Sequence, residues 1–106
     1  MNGHYALTTA AESDTREIIR YTRQHWGDAQ VRRYIETLEE GISRLALGRG
    51  TFKDMSTIYP GLRMAHIEHH YVFCLARENA PALIVAVFHE RMDLMTRLTS
   101  RLKRSD

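Results

Sequence analysis

The sequence predicts an α+β domain in which an antiparallel helical hairpin packs on one face of a small antiparallel sheet. Three observations carry that prediction. Apolar residues recur at three- and four-residue steps through the first half of the chain, and the period drops to two in the second half. The two helical stretches are joined only by Gly27-Asp28, a link so short that they must fold back on each other. The whole chain, 106 residues, makes one domain, long enough to bury roughly two-thirds of its unfolded surface without staples.

The elements follow in order. Gly3 to Thr8 reads as a short strand with Tyr5 and Leu7 on one face. Thr9-Ala10-Ala11-Glu12 has the spacing of a capping box, with Thr9 as the cap, and Asp14 and Glu17 place negative charge in the early turns. Ala11, Ile18, Thr22 and Trp26, with Tyr21 beside them, trace the stripe of a first helix that Gly27 ends. Asp28 starts a second helix, whose stripe runs Val31, Tyr34, Ile35, Leu38, Ile42 and Leu45 to about Leu47, with Gly48 as its stop. Arg49 to Gly61 mixes glycine, serine and proline and reads as a loop.

Leu62 to Ile67 and His70 to Arg77 then read as strands around a turn at Glu68-His69. A further turn at Glu78 to Pro81 leads to a third run, Ala82 to His89. Leu94, Leu98 and Leu102 stand four apart in a basic closing segment, residues 92–106, predicted as a short helix. The predicted order is β-α-α-β-β-β-α.

Composition narrows the function classes. Hydrophobic residues at 43% and charged residues at 26% exclude a wholly disordered chain, and the single cysteine excludes an internal disulfide framework. The longest apolar runs fall far short of a spanning helix, and no basic-then-apolar leader opens the chain, so a cytoplasmic domain away from membranes is expected. Net charge is +2, and it is uneven: from Arg91 onward Arg91, Arg97, Arg101, Lys103 and Arg104 face only Asp93 and Asp106. That tail reads either as a solvated amphipathic helix or as an arm whose leucines dock while Arg97, Arg101 and Arg104 face an acidic partner. On the second reading, a truncation after Asp93 stays folded and loses its target.

No P-loop, GxGxxG, HExxH or G-x-S-x-G motif is present. Cys74 sits inside an apolar strand and reads as a buried structural thiol. His66, His69, His70 and His89 invite a metal reading. However, His66 and His69 are expected to point different ways, and no carboxylate is evidently positioned to complete a site, so they read as solvent-facing hairpin histidines. No metal and no cofactor are expected.

The ordered set of local motifs resembles the ParE branch of the RelE/ParE toxin superfamily. The matching pieces are Leu7-Thr8-Thr9-Ala10-Ala11 with Asp14 and Ile18, Tyr21 to Gly27, Tyr34, Leu38, Leu45-Ala46, Gly61-Leu62-Arg63, Tyr71-Val72-Phe73 and the closing His89-Glu90-Arg91-Met92-Asp93. Together they span about Tyr5 to Asp93. Many relatives have glycine where this chain has Glu68.

The resemblance implies a RelE/ParE-like fold and a toxin of a type II toxin–antitoxin system, of the kind that stabilises plasmids. It implies DNA gyrase as the target, no enzymatic chemistry, and growth arrest through stalled replication. It also implies a cognate antitoxin that binds the toxin directly, in a higher-order complex that regulates its own operon, with DNA met only through antitoxin or gyrase. Arg91, Met92, Asp93, Arg97, Leu98 and Arg101 are the residues expected at the target, and Trp26, Tyr71 and Phe73 those expected at the antitoxin. The sister RelE branch cuts messenger RNA on the ribosome. Its chemistry needs a base, an acid and cations, which Arg63, Arg77, His89 and Arg91 supply if strand ends converge. That branch also uses lysines in the loop before the second strand and a late tyrosine; here the loop holds only Arg49 and Lys53, and Phe88 and His89 stand in the late region with no tyrosine after Tyr71.

Overall fold

The computed structural model describes residues 5–104. Gly3 and His4, expected in the first strand, lie outside them, as do Ser105 and Asp106. The order is β1 (Tyr5–Leu7), α1 (Thr9–Trp26), α2 (Asp28–Ala46), β2 (Lys53–Asp54), β3 (Leu62–Ile67), β4 (His70–Leu75), β5 (Ala82–His89) and α3 (Leu94–Arg104). The sheet runs β1-β5-β4-β3-β2. It is antiparallel from β2 to β5, as expected, but β1 joins the far edge parallel to β5, which makes it mixed. The two-residue β2, inside the stretch read as loop, is the other addition.

Local chemistry places the ends. Thr8 caps α1, its Oγ1 accepting the Ala11 N–H at 3.0 Å, so the cap stands one residue before the expected Thr9. Gly27 takes the positive φ of 84° that separates the helices. Asp28 does not cap α2: its carboxylate instead receives Arg23 Nε across the turn at 3.2 Å. Gly41 sits mid-helix for a packing reason, because a Cβ there would come 2.5 Å from Ile67 Cδ1. Glycine therefore lets α2 approach β3. In the β3–β4 turn Glu68 adopts φ 55°, the left-handed region that favours glycine.

Both faces of the sheet are covered. On one, Ala11 and Ile18 of α1 and Leu38, Ile42 and Leu45 of α2 pack on Ala65, Val72, Cys74, Ile84 and Val87. On the other, Leu98 of α3 and Met55 close over Leu62, Phe73, Val85, Ala86 and Phe88. β5 is therefore buried on both sides, and it carries a bulge: Phe73 pairs with Ala86 and Cys74 with Ile84, leaving Val85 extra. No helix among the described residues is long and apolar enough to cross a membrane.

Candidate functional site

The corner built by His89-Glu90-Arg91-Met92-Asp93 ends β5 and starts α3. The His89 Nδ1 accepts the Arg91 N–H at 3.1 Å. Asp93 caps α3, its two carboxylate oxygens taking the N–H and the hydroxyl of Thr96. Arg91 and Met92 are exposed. Glu90 reaches back to the β3–β4 hairpin, where its carboxylate oxygens meet His66 Nε2 at 2.8 Å and His69 Nδ1 at 3.1 Å. Those two contacts hold the carboxyl below the usual range. The expectation that His66 and His69 diverge, with no carboxylate near, is thus corrected: one carboxylate joins them.

His70 is corrected too, since it is buried rather than solvent-facing. The Tyr34 hydroxyl accepts the His69 N–H at 3.3 Å and hydrogen-bonds the His70 Nδ1, while His89 stands edge-on to the His70 ring at 5.3 Å. Burial first, then the neighbouring His89 and His69, push the His70 pKa down to about 4, so the ring is neutral at pH 7. Burial also raises the Tyr34 phenol, which keeps its proton for His70. Tyr34, His70 and His89 thus fasten α2 to the end of the sheet. Among the described residues no group of three or more His, Cys, Asp or Glu is placed to hold a metal ion.

The residues expected to form a nuclease site are divided between the two ends of the sheet. Arg63 pairs with Cys74, which pairs with Ile84, whereas Ile67 pairs with His70 and His70 with His89. Four residues of strand, about 13 Å, separate the two ends. The Arg63 guanidinium donates to the Leu45 and Ala46 carbonyls at 3.1 and 3.4 Å and lies over Phe52, so it closes the C-terminus of α2. Arg77 Nε donates to the Pro81 carbonyl at 2.7 Å in the β4–β5 turn, at the Arg63 end. His89 and Arg91 lie at the other. Cys74 is buried as expected, and burial pushes its thiol up to about 11.

The residues expected at the target divide as well. Arg97 is exposed, but Leu98 is fully buried beneath α3. Arg101 does not face solvent. Its guanidinium makes a two-pronged pair with Asp14 of α1 at 2.8 and 3.1 Å, donates to the Val85 carbonyl at 2.9 Å, and lies over the Phe88 ring. Asp14 also accepts the Val87 N–H at 3.0 Å. The physical reason is the shortness of β1, which pairs only as far as Ile84. Past that point the bulged edge of β5 lacks a strand, and two side chains take its hydrogen bonds. Nothing local in the sequence could signal this pair, whose members stand 87 residues apart. The side chain of Arg104 lies outside the described residues.

Of the residues expected at the antitoxin, Phe73 is fully enclosed with its ring against Phe88, a core residue rather than a surface one. Tyr71 is half-buried on the same face and stacks on His66 at 4.2 Å. On the same face Met64 and Leu75 are also only partly covered. Trp26 lies elsewhere, at the hairpin tip, and is 69% exposed. It leaves the stripe to which its spacing assigned it because the sheet does not extend under the end of α1.

Residues 5–94 match the family described as the ParE toxin of the type II toxin–antitoxin system parDE. The chain is 69% identical over 99 residues to a Toxin ParE of Escherichia coli, covering 93% of this chain and 96% of that one. It is 30% identical over 94 residues to Toxin ParE1 of Mycobacterium tuberculosis, covering 89% and 96%. A solved chromosomal ParDE toxin–antitoxin structure from P. aeruginosa shares the fold, with a TM-score of 0.65 at 14% identity over 83% of this chain and 96% of that one.

Proposed function

The chain belongs to the ParE toxin family of type II toxin–antitoxin systems, and from that premise we propose that it arrests growth by binding DNA gyrase and is neutralised by a cognate antitoxin that binds it directly. On this reading it performs no chemistry of its own. The observation that carries this part is the division of Arg63 and Arg77 from His89 and Arg91 by about 13 Å of sheet, with Arg63 already bonded to the end of α2. A phosphodiester cannot be held by groups at both ends at once, because base, acid and cations must converge within hydrogen-bond reach of one reacting centre.

Met64, Tyr71 and Leu75, partly covered apolar residues spread over the α3 face of the sheet, support the antitoxin reading, and the His66 ring stacks on Tyr71. A disordered segment that folds on contact would complete the burial that α3 begins. Purified toxin assayed in gyrase supercoiling and cleavage, with a translation reaction alongside, tests the target. Inhibited supercoiling with normal translation is the expected result. Blocked translation with intact supercoiling would reverse the assignment.

A further inference from the structure

The end of the helical hairpin carries more exposed aromatic surface than its packing explains. Tyr21 and Trp26 are 59% and 69% exposed, and neither joins the cluster on either face of the sheet. From Arg23 to Ala29 every residue is exposed. The tip is nevertheless well defined. His25 stacks on Tyr21 with ring centroids 4.0 Å apart, and the Arg23–Asp28 ion pair crosses the turn at 3.2 Å.

Charge along the hairpin is segregated. Between Arg20 and Arg33 stand four arginines, Arg20, Arg23, Arg32 and Arg33, against the single carboxylate of Asp28. Between Tyr34 and Leu47 the balance inverts, with Glu36, Glu39 and Glu40 against Arg44. The aromatic tip is thus the positive pole of the hairpin.

We propose that this tip is the surface by which the toxin docks on an acidic patch of its target protein, with the Trp26 indole entering an apolar pocket inside that patch. Tryptophan, tyrosine and arginine are the residue types that concentrate binding energy at protein interfaces. An arginine ring around them raises the encounter rate with an anionic surface. A nucleic-acid backbone fits less well. One face of Tyr21 is already occupied by His25, and Arg20 and Arg23 are each paired with a carboxylate, Glu17 or Asp28. Arg32 and Arg33 then remain to answer negative charge, too few for a run of phosphates but enough beside one apolar anchor on a protein. The proposal rests on the reading of the chain as a toxin with a protein target.

The test uses the full chain carrying Trp26→Ala, and separately Arg32→Glu with Arg33→Glu, each checked by circular dichroism. Both variants are expected to remain folded and to be captured by the antitoxin like wild type, while apparent affinity for the target, read as the inducer needed for growth arrest, weakens at least roughly tenfold. Trp26→Phe should restore most of it. Full arrest by the folded Trp26→Ala protein overturns the proposal. So does loss of antitoxin capture, which would assign the tip to the antitoxin. Trp26 is the only tryptophan, so its fluorescence reports on the tip alone. Quenching by a single-stranded or duplex oligonucleotide at physiological salt would assign the tip to nucleic acid and overturn the protein partner. Wild type that leaves gyrase supercoiling intact would remove gyrase as the target, while the growth-arrest comparison would still decide the tip.

Discussion

The closing helix and the hairpin tip are both rich in arginine and apolar residues, and the structure gives them opposite roles. In α3, Leu98 is enclosed and Arg101 is drawn inward to Asp14 and the bulged edge of β5. At the tip, Trp26 and Tyr21 stand in solvent with arginines around them. Helical spacing reads the two alike, because it reports only which side chains share a face. What separates them is whether a sheet lies beneath that face. Under α3 the second face of β5 waits uncovered; under the end of α1 the sheet has already stopped.

The largest expected effect comes from removing the anchor of α3. Leu98→Ala should cost about 2–5 kcal/mol in urea unfolding, because a fully enclosed leucine between two packed layers leaves a cavity. Leu38→Ala, its counterpart on the hairpin face, should cost a similar amount. The truncation after Asp93, which the charge pattern alone expects to stay folded and lose only its target, instead bares Phe73, Val85 and Phe88 and should unfold or aggregate. An unchanged midpoint for Leu98→Ala would return α3 to the status of a detachable arm and collapse the contrast.

Next in size is the side-chain clip. Arg101→Ala or Asp14→Ala should each cost about 2–4 kcal/mol, since each leaves a mostly buried charge and a β5 backbone group without its partner. The double variant should cost well short of the sum, a coupling that a double-mutant cycle measures. Additive losses would mean that the two side chains act independently and that the edge of β5 finds other partners. Arg97→Ala, one turn away and exposed, is the internal control and should stay within about 0.5 kcal/mol.

How far the fold could be read from the sequence follows the same line. The bounds of β3 and β5, the two helices and their tight link came directly from periodicity and glycine placement, because those signals are local. Even Glu68 showed itself, as a residue where relatives have glycine, and it does hold a positive φ. Spacing places the cap of α1 one position late, at Thr9, because Thr8 and Thr9 are chemically equivalent caps. The site was less legible. Its motif, His89 to Asp93, is visible, and Asp93 finds its partner Thr96 locally, but what Glu90 binds depends on strand register. The clip of Asp14 on Arg101 depends on where β1 stops, which no local pattern encodes.

The smallest of the three effects lies where the hairpin leaves the sheet, between its seated half and its free tip. His70, buried there against Tyr34, has a pKa of about 4 in the folded chain, depressed mainly by burial, and near 6.5 once unfolded. Between those values the unfolded chain binds a proton that the folded chain refuses. Stability from this group is therefore fully present above about pH 6.5 and lost as pH falls toward 4, by up to about 3 kcal/mol. Glu90 and Asp54, whose carboxyls are held low, extend the acid loss to lower pH through the opposite ionisation. The two contributions separate in a variant. His70→Asn keeps an acceptor for the Tyr34 hydroxyl but cannot titrate, so its urea midpoint should stay level from pH 7 to about 4.5 while wild type declines. A parallel decline in both proteins would show that His70 charges without breaking its seat, and that α2 is held to the sheet by its leucines alone.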